Sequence, residues 1–205
     1  MMDMNKTVAK YSKNFQTVLV KGNFPDMQER LAAYRARLSK MYASESFRKH
    51  NIYPTTNTPY IYAVIAMCLE LKEFGLTDKE IIDAINNGFS GRRNFFKVLL
   101  RCIDALPNCY QIAKKWNISD HDKRVRDGSL TYDYFKVSDR KIEYRISKCM
   151  YVEMFETFGI RSLCKIFCMT DITSYENLPK HVRFIRRSDL SDGTCCHDEI
   201  TEKRK

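Results

Sequence analysis

The sequence predicts an α+β protein, in which a helical N-terminal region is packed with an antiparallel sheet of about four strands and two C-terminal helices. Three observations support this class. Apolar residues recur at helical spacing through residues 25–116, two pairs of strand-like runs lie within residues 131–146 and 181–200, and two more helical segments separate those pairs. Helices followed by hairpins favour a segregated arrangement over alternating βαβ units.

Most of the first half of the chain is predicted to be helical. Residues 1–24 are only weakly patterned. After Pro25-Asp26, apolar residues step by four and three from Met27 to Met41, which is typical of a surface helix with one buried stripe. Asn57-Thr58-Pro59 then provides a cap, and Tyr60 to Phe74 is apolar nearly all round until Gly75. This segment is predicted to be the central buried helix.

Shorter helices are predicted before residue 117. The run Thr77-Asp78-Lys79-Glu80 is a capping box that starts a helix. Apolar faces predict further helices at Arg92 to Leu106 and at Asn108 to Trp116, with the tryptophan turned inward. The polar stretch Asn117 to Ser129 is predicted to be a loop between a helical lobe and a mixed lobe.

Two hairpins are predicted in the second half of the chain. Thr131 to Val137 is rich in Tyr, Phe and Val, and Arg140 to Ile146 alternates between apolar and charged side chains, so these runs form the first hairpin. His181 to Arg187 and Thr194 to Ile200 form the second. Helical spacing lies between the hairpins, at Met150 to Phe158 and Ile160 to Ile172.

Length and composition favour a single domain over residues 1–205, with a mainly helical lobe at 1–117 and a mixed lobe at 130–200. The chain has 205 residues, of which 44% are hydrophobic, enough to bury one sizeable core. The longest apolar run, Ile61 to Leu69, is too short to cross a bilayer. The N-terminal residues show no secretion signal, so we expect a cytoplasmic protein with reduced cysteines and no membrane partner.

The net charge of +10 raises the question of nucleic-acid binding. Residues 1–50 hold ten Lys or Arg and four Asp or Glu, but these charges are spread along amphipathic segments without a nucleic-acid-binding motif. A solvated basic face is therefore favoured, and nucleic acid is not the expected partner. Binding to nucleic acid or another anionic partner is kept as an alternative.

Reactive side chains concentrate between Cys149 and His197, which holds five of the eight cysteines. Cys164 and Cys168 are four residues apart on a predicted helix, a spacing that fits two metal ligands or two core residues equally well. On the last strand, Cys195 and His197 point to one face and Cys196 and Asp198 to the other. Such a cluster is compatible with a zinc ion that activates water, or with a thiolate beside a base.

Several short elements in this region occur in a fixed order and resemble the C-terminal signature of the L-2-amino-thiazoline-4-carboxylic acid hydrolase family. The resemblance covers roughly residues 130–200. In chain order the elements are Lys148-Cys149-Met150-Tyr151, Glu156-Thr157-Phe158-Gly159, Leu163-Cys164, Cys168 with Asp171, Arg186-Arg187-Ser188-Asp189-Leu190, Gly193, and Cys196-His197-Asp198.

The resemblance implies hydrolytic opening of a thiazoline ring, which needs a nucleophile or activated water, an acid for the leaving atom and a cation for the substrate carboxylate. Arg186 or Arg187 is the candidate for that cation. A cysteine nucleophile with His197 as base and a metal-bound water, with zinc as the possible metal, are both open. The candidate catalytic residues are Cys149, Cys168, Asp171, Cys196, His197 and Asp198.

The last motif departs from the family pattern. There, a cysteine is followed directly by an aspartate and an aromatic residue, whereas this chain reads Cys196, His197, Asp198 and Glu199. Either His197 replaces the cysteine or the preceding turn is one residue shorter. A substituted His197 acts as ligand or base, or it marks a protein that keeps the fold without the reaction. A non-catalytic module that binds a small ligand or a partner protein on the same fold is therefore the alternative function.

Overall fold

The structure, a computed structural model, describes residues 3–203 apart from the side chains of residues 91–95. The described residues form helices, one 3₁₀ helix and a four-stranded sheet, which confirms the predicted α+β class. The elements are α1 Met4–Lys21, α2 Met27–Ala43, α3 Glu45–His50, α4 Thr58–Glu73, α5 Asp78–Gly88, α6 Ser90–Asp104, α7 Cys109–Asp127, β1 Leu130–Val137, β2 Lys141–Cys149, α8 Met150–Glu156, the 3₁₀ helix Arg161–Cys164, α9 Lys165–Glu176, β3 Val182–Ser188 and β4 Cys196–Glu202.

Packing divides the chain into two compact units. The first consists of Met1–Arg92 and Glu153–Ile166, and the second of Arg93–Val152 and Phe167–Lys205. A single domain with a helical and a mixed lobe stays a prediction. No helix among the described residues is long and apolar enough to cross a membrane.

The first unit is built around α4, as its uniform apolar character predicts. Every residue from Ile61 to Cys68 is buried, so this helix is surrounded on all sides. The predicted stripe of α2 is buried from Leu31 to Met41, and the hydroxyl of Tyr34 on α2 donates a hydrogen bond to the Ala63 carbonyl on α4 (3.2 Å). The capping box at Thr77 and Glu80 forms at the start of α5.

The second unit contains the sheet, whose strands follow the order β1-β2-β4-β3 and pair antiparallel throughout. The two predicted hairpins are thus present, and β2 pairs with β4 to join them. Asp198 on β4 lies between Tyr144 on β2 and Arg186 on β3 in the register. The centre of the sheet therefore places an aspartate directly beside an arginine.

The N-terminal residues form helix α1, although the sequence shows only a weak pattern there. Asp3 caps the helix by accepting a hydrogen bond from the Lys6 N–H (3.1 Å). Tyr11, Phe15 and Leu19 repeat every four residues and are buried. Lysine and asparagine residues between them obscure this stripe in the sequence.

The predicted loop at Asn117 to Ser129 is wrong, because α7 continues to Asp127. Gly128, with a φ of +73°, ends the helix in a left-handed conformation. Its polar residues support the helix: Asp120 and Arg124 form an i, i+4 pair, and His121 stacks on Phe135 of β1 with ring centroids 3.9 Å apart. The inward orientation predicted for Trp116 is also wrong, since 49% of this residue is exposed.

A buried carboxylate crosslinks α2 and α4 in the first unit. Glu70 on α4 has no exposed surface, and its Oε1 accepts a hydrogen bond from the Arg37 Nε–H on α2. Arg37 also pairs with Glu73, and Arg30 lies over the Phe74 ring. Because Glu70 would be left buried without its counter-charge, Arg37 is the residue on which this network depends.

Replacement of Arg37 is expected to destabilise the protein far more than replacement of its exposed neighbour on α2. Arg37→Met should lower the free energy of unfolding by about 3 kcal/mol, because the Glu70 carboxylate then stays buried without a cation. Arg35→Met, on the solvent side, should change it by less than about 0.5 kcal/mol. Urea unfolding measures both values, and equal effects of the two substitutions would contradict this role of Arg37.

Candidate active site

The candidate site lies on the inner face of the sheet in the second unit and is centred on Arg186. The Arg186 Nε–H donates to Asp198 Oδ1 (2.8 Å) and its Nη2–H to Asp198 Oδ2 (2.7 Å), a bidentate pair. Asp198 is 1% exposed and the Arg186 side chain 10%. Burial alone lowers the pKa of Arg186, but hydrogen bonds and charges from Asp198 and Asp171 raise it above its ordinary value. This arginine is therefore a permanent cation.

The same guanidinium also binds helix α9. Its Nη1–H donates to the Cys168 carbonyl (2.8 Å), and Nη2 donates a second hydrogen bond to Asp171 Oδ2 (3.0 Å). Four of the five N–H groups of Arg186 are thus used by Asp198, Asp171 and the α9 backbone. Arg186 positions Asp171 as well as holding α9 against the sheet.

Asp171 is the accessible carboxylate of this network. Its side chain is 55% exposed, whereas Asp198 is enclosed. Protein atoms nevertheless surround the Asp171 carboxyl closely, and this desolvation raises its pKa. Arg186 opposes the rise, whereas the negative charges of Asp198 and Asp120 raise the pKa further. The Asp171 side chain is therefore accessible to solvent, although neighbouring protein atoms desolvate its carboxyl group.

Three thiols lie near this network. Cys149 is the last residue of β2 and accepts hydrogen bonds from the backbone N–H groups of Val152 and Tyr151, and burial raises its pKa to about 11. The Leu190 N–H donates to the Cys196 sulfur (3.3 Å), and burial raises the pKa of Cys196 to about 12. Cys149 and Cys168 each add to that rise, so the three groups are neighbours. At neutral pH Cys149 and Cys196 carry their protons.

Helix α7 supplies a polar wall that the sequence-based interpretation missed. Arg124 lies over the Tyr151 ring, 5.6 Å from its centroid, and its Nη1–H donates to the Tyr151 hydroxyl (3.3 Å). Its Nε–H lies 3.4 Å from Asp120 Oδ1. The hydroxyl of Tyr175 on α9 donates to Asn117 Oδ1 (2.8 Å). These contacts bring α7, α8 and α9 around the sheet face.

A tyrosine of β1 lies among these groups. Burial raises the pKa of Tyr132, the charges of Asp120, Cys149 and Asp171 raise it further, and the charge of Arg124 opposes them. The Tyr132 ring also packs edge-on against Tyr144, with centroids 6.0 Å apart. Tyr132 thus belongs to a cluster of side chains, which we call the chamber and define by Asp120, Arg124, Tyr132, Cys149, Cys168, Asp171, Arg186, Cys196 and Asp198.

His197 and Arg187 do not belong to this chamber. The Nε2 atom of His197 lies 3.2 Å from Glu143 Oε1 and 3.1 Å from the Tyr134 hydroxyl, on the opposite face of the sheet. Hydrogen bonds from Lys141 and His197 lower the pKa of Glu143 to about 2. Arg187 pairs loosely with Glu199 (3.4 Å) and is half exposed. The structure therefore brings Cys149, Cys168, Asp171, Cys196, Asp198 and Arg186 together and leaves His197 and Arg187 apart.

A helical pattern in the sequence marks the missed residues on α7. Asn117, Asp120 and Arg124 are separated by three and four positions, which places them on one face of a helix. The absence of apolar residues on that face led to the prediction of a loop. The polar face is directed at the chamber, where polar side chains have partners.

The described residues hold no group of three or more His, Cys, Asp or Glu side chains arranged to bind a metal ion. Zinc was the possible metal predicted from the sequence. The thiols, carboxylates and imidazole that suggested it are divided between two faces of the sheet.

Comparison with known proteins identifies one family. The sequence model of the L-2-amino-thiazoline-4-carboxylic acid hydrolase family matches residues 76–198, more than half of the chain. The match includes every chamber residue and ends at Asp198. No curated protein matches the chain.

The reactivity of the cysteines provides a test of the chamber. At pH 7, iodoacetamide should modify the exposed Cys102 well before Cys149 and Cys196, because burial keeps these two thiols protonated. The modification rate of Cys149 should keep rising as the pH approaches about 11. Peptide mass spectrometry after timed labelling measures each site. Fast labelling of Cys149 at pH 7 would contradict this environment.

Proposed function

Because the chain belongs to the L-2-amino-thiazoline-4-carboxylic acid hydrolase family, we propose that it catalyses hydrolytic ring opening of a cyclic, amidine-like substrate of the thiazoline acid type. The observation that carries the proposal is the accessible carboxylate of Asp171, held by Arg186 in a chamber that also contains protonated thiols. A cytoplasmic location, where such thiols stay reduced, is part of the proposal.

The reaction adds one water across a ring bond of the substrate. The ring carbon between sulfur and nitrogen is electrophilic, and attack by water forms its bond to oxygen while a base takes one proton of the water. The π bond between this carbon and nitrogen breaks in the same step, and its electron pair stays on the nitrogen, which takes a proton. The tetrahedral intermediate then breaks its bond to the ring sulfur or to the ring nitrogen, and that leaving atom takes a proton. Either cleavage gives a carbamoyl derivative of cysteine, and no oxidant or reductant is needed.

Asp171 suits the role of the base. Arg186 binds its Oδ2 atom, whereas Oδ1 makes no hydrogen bond to the described residues. Desolvation raises the pKa of Asp171, which makes its carboxylate a stronger base than an ordinary surface aspartate. A carboxylate with one oxygen fixed and the other open is well placed to orient and deprotonate a water molecule.

The thiols suit proton donation better than nucleophilic attack. With its pKa raised to about 11, Cys149 is protonated at neutral pH and is a weak nucleophile in that form. His197, the base suggested by the sequence for a cysteine nucleophile, lies on the other face of the sheet. The proposal therefore uses water as the nucleophile and a thiol as proton donor to the leaving atom. No step of the proposal uses a metal ion.

Replacement of Asp171 is expected to abolish most of the turnover. With the thiazoline acid as substrate, Asp171→Asn should lower kcat/KM by about 100-fold or more, because the general base is lost. Asp83→Asn is the matched control, since Asp83 is exposed and, among the described residues, its side chain pairs with Lys79 alone. Mass spectrometry of the ring-opened product, with and without chelator, measures the rates. Absence of turnover by the unmodified protein in both conditions would overturn the proposal and favour the ligand-binding module.

The pH dependence of turnover should follow the titration of Asp171. Since the carboxylate form is active and its pKa is raised, kcat/KM should fall on acidification at a pH above about 4, the ordinary range for an aspartate. Asp83→Asn should keep this acid limb unchanged. The residual activity of Asp171→Asn should not show this fall of kcat/KM on acidification. An unchanged fall in that variant would exclude Asp171 as the base.

A further inference from the structure

The substrate carboxylate needs a cation, and the two arginines suggested by the sequence do not provide one. Arg186 already uses four of its N–H groups on Asp198, Asp171 and the Cys168 carbonyl. Its charge is matched by two carboxylates. Arg187 lies on the other face of the sheet with Glu199. The cation must come from another element of the second unit.

Arg124 on α7 is the remaining arginine of the chamber. Its hydrogen bonds are long, 3.4 Å to Asp120 Oδ1 and 3.3 Å to the Tyr151 hydroxyl, and they use only Nε and Nη1. Its Nη2 atom has no hydrogen bond to the described residues. The side chain is 17% exposed. The edge of the guanidinium formed by Nη1 and Nη2 is therefore available to a carboxylate in a bidentate arrangement.

The Tyr151 ring fixes the plane of this guanidinium. A cation over an aromatic face is held in orientation without losing its outward N–H groups. Tyr151 follows Cys149 by two residues, and the charge of Arg124 opposes the rise that burial causes in the pKa of both side chains. The Tyr151 ring also packs on Phe167, with ring centroids 5.4 Å apart, so Arg124 is one contact away from the helix that carries Asp171.

The chamber contains groups of opposite charge. The Asp171 side chain is 55% exposed, the Arg124 side chain is 17% exposed, and the charges of both act on the pKa of Tyr132. A planar cation that carries a carboxylate matches this arrangement, with its positive group towards Asp171 and its negative group towards Arg124. Asp120 keeps Arg124 in place when no ligand is bound.

We propose that Arg124 is the specificity-determining residue that binds the substrate carboxylate, so that the chamber selects small zwitterions over ligands that carry only the cationic group. This inference rests on the proposed function for the identity of the ligand, but it concerns binding and does not require turnover. It predicts that the preference for a carboxylate is lost with the charge of Arg124.

Two ligands separate this role from a structural one. The first is the thiazoline acid, and the second is 2-amino-2-thiazoline, which has the same ring without the carboxylate. Rapid-mixing titration of protein with Asp171 intact, followed by intrinsic fluorescence, measures binding before hydrolysis. Arg124→Gln should weaken binding of the acid by about 10- to 100-fold, the usual effect of losing a charged hydrogen-bonding partner. Binding of the ring without the carboxylate should change by less than about 3-fold.

Control variants keep the test independent of folding. Arg124→Lys retains the charge without the bidentate edge and should weaken binding of the acid less than Arg124→Gln does. Arg187→Gln, on the other face of the sheet, should leave binding of both ligands unchanged. Circular dichroism and urea unfolding establish that each variant is folded. If Arg124→Gln does not fold, binding of the two ligands is compared in Arg124→Lys instead.

The outcomes distinguish the inference from the proposed function. Equal weakening of both ligands by Arg124→Gln, or equal affinity of the unaltered site for both ligands, would overturn the role of Arg124. Carboxylate-dependent binding that requires Arg124, in a protein that shows no hydrolysis, would support the inference and overturn the hydrolase proposal. Turnover that does not depend on Arg124 would support the hydrolase proposal and overturn the role of Arg124.

Discussion

The buried ion pair between Arg186 and Asp198 is the interaction on which the second unit depends. Asp198 has almost no exposed surface at the centre of the sheet, and a carboxylate in that position is tolerable only with a close cation. Arg186 is beside it because β3 and β4 pair in register. Two of the remaining N–H groups of Arg186 then bind the Cys168 carbonyl and Asp171, so one charge pair fixes both the sheet centre and α9.

The arrangement of the chamber depends on these hydrogen bonds of Arg186 and on the polar face of α7. Arg186 binds one carboxylate oxygen of Asp171 and leaves the other open, and Asn117 and Arg124 on α7 bind Tyr175 and Tyr151. Burial keeps the neighbouring thiols protonated. A carboxylate, protonated thiols and a second arginine thereby belong to one group of residues, and the proposed ring-opening hydrolysis assigns them the roles of base, proton donors and cation.

The sheet and much of the candidate site are predictable from the sequence because strand alternation is a local property. It assigns Cys196 and Asp198 to one face and His197 to the other, and the structure shows this separation. Alternation also explains why residues adjacent in the last motif do not act together. The family resemblance adds Cys149 and Asp171, which belong to other elements and which no local pattern connects to Asp198.

Other parts were not predictable because they depend on contacts between distant segments. Asn117 to Asp127 is polar, and a polar segment is assigned to a helix only when its partners on β1, α8 and α9 are known. For the same reason the sequence suggested Arg186 and Arg187 for the substrate carboxylate. The commitment of Arg186 to two aspartates depends on the strand register and on α9.

A double-mutant cycle between Arg186 and Asp198 tests the central claim most directly. The free energies of unfolding of Arg186→Met, Asp198→Asn and the double variant are measured by urea denaturation. Each single change leaves a buried polar group without its partner. The two single losses of unfolding free energy should therefore sum to more than the loss in the double variant, by a coupling energy of about 2 kcal/mol or more. Additive effects, within about 0.5 kcal/mol, would show that the pair does not hold the sheet centre and α9 together.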